Sequence, residues 1–361
     1  DNDAVPLTSL TTRVFLGQQI QCTQCHDHPS NDWKQEDFWG INAFFKGLRR
    51  ETVRTVKSNG VEVDDYTQLS EEPTDDYARY ERRNGELRIA FPAFLDGSKI
   101  DSDANGSRRT QLGAFITSET NADFPRALVN RLWAHFMGRG FVHPVDDFGP
   151  HNPPSHPDLL DRLAEDFVSS GYDLKALIRW ITASEAYNLT SMSTPRNEKD
   201  EVLFSHMALK PMNPEQLFDS LLIATAAHKA GGDAELDSKR EQWLSQFLFT
   251  FGNDEGEEGS TFEGTIPQAL MMMNGDLMER AVGGRPGSFL AQTLEQARLQ
   301  RKFPPEVYAL NRIYMAALSR PPRRDEITRL QRMASTYPDK TLFLQDVFWA
   351  LLNSNEFILN H

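Results

Sequence analysis

Along most of the chain the apolar positions recur with helical period. Residues 8–21 (TSLTTRVFLGQQIQ) set Val14, Phe15, Leu16 and Ile20 among polar neighbours, with Ser9, Thr11 or Thr12 as caps, and predict a helix. Residues 35–48 place Phe38, Ile41, Phe45 and Leu48 on one stripe. Residues 122–137 carry Leu128, Leu132 and Phe136 four apart and run into Gly138 and Gly140, a stop signal. Further helices are predicted over 156–170, 173–187, 213–230, 266–283, 305–319, 323–336 and 341–353, the third of these opening on Asn213-Pro214-Glu215. Between 51 and 100 the period drops to two. Thr52–Val56 and Val61–Val63 flank the turn signal Ser58-Asn59-Gly60, and Leu87–Ile89 follows Asn84-Gly85. Residues 64–81, dense in Asp and Glu, read as a solvated loop, with a cation site as the sharper alternative. The Gly- and acid-rich stretch 252–264 reads as a mobile loop. The expectation is a mainly α, multi-helical fold with a small inserted antiparallel β-sheet. Its segments are a helical stretch at 1–50, a β-rich insertion at 51–108 and a multi-helical domain at 109–361.

Charge narrows the choice of partners. With 38 Lys+Arg against 52 Asp+Glu the chain stands at −14, a poor match for a phosphate backbone, so nucleic acid is not expected. No run of eighteen apolar residues occurs, so no membrane span is expected. The chain begins at Asp1 rather than Met, which suggests a processed or excised product with sequence upstream.

Only two cysteines occur in 361 residues, and they stand together as Cys22-Thr23-Gln24-Cys25-His26. This is the C-x-x-C-H spacing of c-type haem attachment. Two thiols three positions apart each add to one vinyl group, and the adjacent imidazole binds the iron axially. The cofactor expected is therefore one covalent haem c on Cys22 and Cys25, with His26 as the iron ligand. Three other readings stay open: a redox dithiol, a zinc site from Cys22, Cys25, His26 and His28, and inert thiols. His28 is read either as a turn cap or as a propionate or metal partner, and Asp27 as an acceptor orienting an imidazole. Trp33, Phe38 and Trp39 are core residues by default and would cover a haem edge. Candidates for a distal ligand are His135, His143, His151, His156, His206, Met207, Met212 and the run Met271-Met272-Met273, the last more naturally core filler. Haem attachment takes place outside the bacterial cytoplasm, so a periplasmic or otherwise extracytoplasmic location is expected.

A second polar cluster, VDDFGPHNPPSHP at 145–157, gathers Asp146, Asp147, His151 and His156 on a proline-stiffened loop. Capping of the following helix is its plain role. Its functional reading is a pocket wall with Asp147 and His156 as the catalytic candidates for proton transfer.

These strings resemble the large secreted cytochrome-like proteins of planctomycetes and verrucomicrobia, which carry two consecutive domains of unknown function. Residues 12–45 (TRVFLGQQIQCTQCHDHPSNDWKQEDFWGINAFF) are similar to the end of the first, called a planctomycete cytochrome domain. Residues 120–361 are similar to the second, through FPRALVNRLWAHFMGRGFVHPVDDFGPHNPPSHPDLLDRLAEDF, NPEQLFDSLLIAT, TIPQALMMMNG and WALLNSNEFILNH. The resemblance implies haem and an extracytoplasmic setting, an upstream cytochrome domain, and an association with polysaccharide breakdown. It assigns roles to Cys22, Cys25 and His26 and to no catalytic residue. The function expected is electron transfer or oxidoreduction with a redox partner protein, with carbohydrate as a possible substrate. A glycan- or protein-binding module is the alternative, and a carboxylate-dependent hydrolase using Asp146 and Asp147 stands behind it.

Overall fold

The computed structural model describes residues 4–56, 62–72, 74, 77–100, 107–230, 236–251 and 266–360. The expected turn at 58–60, the acidic pair Asp75 and Asp76, and the loop at 252–264 lie outside the described residues. The fold is mainly helical with three small two-stranded antiparallel sheets, as the periodicity predicts. The chain divides into two compact units, Asp1–Met207 and Ala208–His361.

The first unit opens with α1 (Ala4–Leu16), a 3-10 turn at Gln21–Gln24 and α2 (Gln35–Ala43). A hairpin of β1 (Leu48–Val56) and β2 (Glu62–Glu71) follows, then a shorter one of β3 (Ala78–Glu81) and β4 (Leu87–Ala90). The unit is completed by α3 (Arg108–Ile116), α4 (Asp123–Met137), α5 (Pro157–Ser169) and α6 (Leu174–Thr182). Leu16, Ile41, Phe44, Phe94, Leu112 and Ile116 form one core. Val129, Trp133, Met137, Leu160, Phe167, Leu177 and Ile181 form another beneath α4, α5 and α6. Helix α5 illustrates the logic: Leu160, Ala164 and Phe167 recur at four and three, so one stripe is buried while the acidic face stays wet. Pro157 at its first turn needs no amide partner there.

The acidic stretch 64–81 is largely strand where a loop was expected. Strand β2 runs to Glu71 and β3 begins at Ala78. Arg49 Nε holds Glu72 at 3.2 Å and Arg109 Nε holds Glu71 at 2.8 Å, so basic partners offset part of the acidic density.

The second unit holds β5 (Lys210–Pro211), α7 (Pro214–Thr225), α8 (Leu236–Phe251), α9 (Ile266–Asn274), α10 (Asp276–Val282), α11 (Phe289–Leu299), α12 (Pro305–Leu318), α13 (Arg324–Ala334), α14 (Lys340–Leu352), α15 (Asn355–Ile358) and β6 (Leu359–Asn360). The predicted helix 266–283 is two helices. Gly275 separates them with an extended backbone, and glycine fits there because a side chain would meet the Met271 carbonyl at 2.7 Å. Helices α8 and α11 carried no clear sequence signal. Among the described residues no helix is long and apolar enough to cross a membrane.

Candidate functional site

Helix α1 stops at Gly17, whose φ of +66° turns the chain away. Ile20 is fully buried, and Thr23 is buried too, its hydroxyl and amide both bonded to the Ile20 carbonyl at 2.6 and 2.9 Å. With Thr23 plugged inward, the 3-10 turn carries Cys22 and Cys25 outward. Side chains three apart eclipse each other in such a turn, and both thiols are free and exposed.

His26 is half-buried, and its Nδ1 donates to the Asp27 carbonyl at 2.6 Å. That bond leaves the Nε2 lone pair as the available donor atom. The Asp27 carboxylate accepts the Gln35 amide at 3.1 Å and lies 3.6 Å from Lys34 Nζ. The Gln35 N–H bond first, then the Lys34 and Arg82 charges, holds its pKa below the usual carboxylate value. Gln24 offers one carbonyl to two side chains of α2, Gln35 Nε2 at 3.2 Å and Trp39 Nε1 at 3.1 Å. Gln35 also reaches the Glu81 carbonyl at 3.0 Å, so the thiol turn is tied to both α2 and β3.

His28 is a staple. Its Nδ1 accepts the amides of Ser30 at 3.2 Å and Asn31 at 3.0 Å, and the ring also hydrogen-bonds the Gln19 backbone. Burial lowers its pKa, with the nearby His151 adding to the effect. Of the roles weighed for it, the turn cap is the one these bonds describe.

The proline-rich loop at 145–157 closes against this segment. Phe148 N–H donates to the Gly17 carbonyl at 3.0 Å, and its ring fills the space a Gly17 side chain would need, at 2.7 Å. Asp146 is only 3% exposed. Its carboxylate takes Arg13 Nε at 2.6 Å and Gln19 Nε2 at 2.8 Å. Asp147 turns the other way, to His151 Nε2 at 3.1 and 3.2 Å. His151 Nδ1 meets Asn31 Oδ1 at 3.1 Å. Gly149 makes this approach possible, since a Cβ there would stand 2.6 Å from Asn31 Oδ1. Buried Asn130 sets the loop's start through the amide and carbonyl of Val142 and the carbonyl of Val145.

The structure thus brings together the two segments singled out in the sequence, in one compact unit. It pairs Asp147 with His151, while His156 bonds Ser155 Oγ at 3.0 Å and packs against Phe141 and Phe204. Asn31, Gln19, Gln35 and Arg13 carry the connection and were not singled out. For Asn31 the one sequence signal was nearness to the histidines. Of the distal candidates, Met207 is in the α4–α6 core and Met272 in the second unit's core, with Met212 and Met271 packed against the latter and Met273 exposed. His135 edges onto Phe136, His206 Nδ1 bonds the Met207 carbonyl at 3.3 Å, and burial lowers the His143 pKa. Among the described residues no three or more His, Cys, Asp or Glu side chains are placed to hold a metal ion, so the four-ligand zinc arrangement is not formed.

Both halves of this arrangement fall in planctomycete-type domains of unknown function. Residues 2–50 match the family model described as PSCyt2, a protein of unknown function (DUF1549), and residues 108–258 match PSD1, a protein of unknown function (DUF1553). No curated protein and no solved structure matches the chain. The thiol turn lies in the first match and the Asp147–His151 loop in the second.

Proposed function

We propose that the protein carries one covalent haem c on Cys22 and Cys25, with His26 as the axial ligand, and passes electrons to a partner protein outside the cytoplasm. The observation that carries this reading is the state of His26. Its Nδ1 is committed to the Asp27 carbonyl, so Nε2 is the nitrogen left for iron. Two free, exposed thiols precede it, Cys22 in the 3-10 turn and Cys25 at its cap, which leaves both open to vinyl groups. The donor set therefore fits the group. When bound, haem supplies a one-electron couple whose potential depends on the ligand set and on burial.

The chain's own residues hold the turn rigid. Thr23 anchors it in the core, Gln35 and Trp39 clamp Gln24, and His28 fastens the segment beyond it. Such fixed surroundings reduce reorganisation when charge changes at the site. Oxidoreduction of a carbohydrate is a narrower version of the reading and rests on the family resemblance alone.

The test is a pyridine haemochrome spectrum and an intact mass after production in a host able to attach haem c. The expected result is a c-type spectrum and a mass raised by one haem. Cys22→Ser leaves a single thioether and shifts the α band to longer wavelength. His26→Ala retains the mass but loses the native axial ligation. Unmodified protein from a host that matures a control cytochrome overturns the reading.

A further inference from the structure

Hairpin β3–β4 has one covered face and one bare face. Ala78, Tyr80 and Ala90 pack inward with Trp39 and Ala43 of α2. On the other side Leu87, Ile89 and Phe91 stand at alternate positions and are 78%, 54% and 58% exposed. Tyr77 leans on Phe91 at 5.7 Å, and Arg79 lies over the Tyr77 ring at 5.1 Å. Bare strand faces of this kind mark interaction surfaces when a charged rim surrounds them.

The rim here departs from the rest of the molecule. Residues 77–91 hold four arginines against Glu81 and Glu86, in a chain whose net charge is −14; Arg88 is paired with Glu86 at 2.7 Å, and Arg79, Arg82 and Arg83 form the rim. The hairpin is also joined to the thiol turn. Gln35 bridges the Gln24 and Glu81 carbonyls, and Trp39, which holds Gln24, stacks on Tyr80 at 5.7 Å and 5°. Arg82 hydrogen-bonds Tyr80 and acts on Asp27, the residue after His26.

We infer that the outer face of β3–β4 is the docking surface for an acidic redox protein, which inserts apolar side chains over Leu87, Ile89 and Phe91 while its carboxylates meet the arginine rim. The redox part of this rests on the proposed haem; the docking part does not. Charge complementarity selects the partner. At physiological salt, fields fade within about 8 Å, so a protein with a local acidic patch feels the hairpin rather than the whole acidic chain. An anionic membrane covers a wider footprint and meets the acidic body as well, which disfavours it. The net charge of −14 would by itself favour a basic partner; the local charge beside the thiols favours an acidic one.

The test has two arms. In the first, a fluorescein-labelled peptide of repeating Glu-Glu-Phe is titrated with the full chain, without haem, and followed by anisotropy. Binding that weakens with salt is expected, at least about tenfold weaker in Arg79→Glu/Arg83→Glu and about fivefold weaker in Leu87→Ser/Ile89→Ser. All four positions are exposed, so circular dichroism melting matches wild type. In the second arm, haem-loaded protein is reduced and oxidised by hexacyanoferrate(III) in stopped flow. The wild-type rate falls as ionic strength rises, and charge reversal inverts that slope. Absence of haem sinks the proposed function while the first arm still reports on docking. The inference is overturned by peptide binding that ignores the substitutions. It is equally overturned by binding to phosphatidylglycerol vesicles in place of the peptide, or by self-association abolished in Leu87→Ser/Ile89→Ser.

Discussion

Asp146 ties the end of α1 to the proline-rich loop, and its removal is the most informative perturbation of the site. The carboxylate is nearly fully buried, yet it carries two bonds, to Arg13 Nε at 2.6 Å and Gln19 Nε2 at 2.8 Å. In Asp146→Asn one amide oxygen replaces the charge, and the Gln19 bond survives as a neutral one. The loss is the charge-assisted bond to Arg13, worth roughly 1.5–3 kcal/mol. Arg13 keeps 28% of its side-chain surface in water, so solvent screening trims the loss to about 1.5 kcal/mol. In Asp146→Ala both bonds go and a small void opens, and about 3 kcal/mol is expected. For a unit of this size each kcal/mol moves the midpoint by roughly 2–4 °C, so the first variant drops by about 3–6 °C and the second by about 6–12 °C. Differential scanning calorimetry supplies the midpoints. Gln19 is also the residue whose backbone meets His28, so the effect reaches the thiol turn. Amide exchange at Thr23 and Cys25, followed by mass spectrometry, is expected to quicken in both variants. A Tm within 1 °C of wild type for Asp146→Ala, or unchanged exchange at the turn, refutes the argument.

Three further outcomes are expected. Gly149→Ala forces Asn31 and His151 apart and costs about 1–3 kcal/mol in chemical denaturation, whereas Gly97→Ala meets no atom within 4 Å and costs only the strain of its φ of +83°. Trp39→Phe removes the bond to the Gln24 carbonyl but keeps a ring against Tyr80; a loss near 1 kcal/mol is expected, with faster exchange at Cys25. In the second unit Arg320 grips Glu326 and Glu356, pulling Glu326 down to about 2 and Glu356 below its usual value. The unfolded chain then binds more protons than the folded one between about pH 5 and 2. Stability is full above the ordinary carboxylate range and falls as pH drops through the folded value, by about 2 kcal/mol at pH 3 after screening. Arg320→Met flattens this slope in urea titrations at pH 6 and pH 3.

Periodicity located most helices because amphipathic stripes such as Leu160, Ala164 and Phe167 are written locally. It blurred where packing decides the break, as at Gly275, whose close neighbour is a backbone carbonyl. It misread 64–81 because acidic density signals solvent, while the arginines that hold Glu72 and Glu71, Arg49 and Arg109, sit 23 and 38 positions away. At the candidate site, Cys22, Cys25 and His26 stood out because their spacing is written in five consecutive residues. The pairing of Asp147 with His151, and of His151 with Asn31, was not legible. Asn31 and His151 are separated by 120 positions, and only the tertiary fold brings them together. His156 drew attention through residue type, yet its surroundings are aromatic.

The seam where Phe148 meets Gly17 bears on inheritance. Two separately recognised sequence families, one ending at residue 50 and the other starting at residue 108, share a single set of buried bonds through Arg13, Gln19 and Asp146. Neither can drift alone at these positions without stranding a polar group in the other. Without residues 108–258, the α1 terminus of this chain would have no carboxylate to meet Arg13 and Gln19. The two matched stretches of this chain are therefore coupled at the level of folding, before any chemistry is tested.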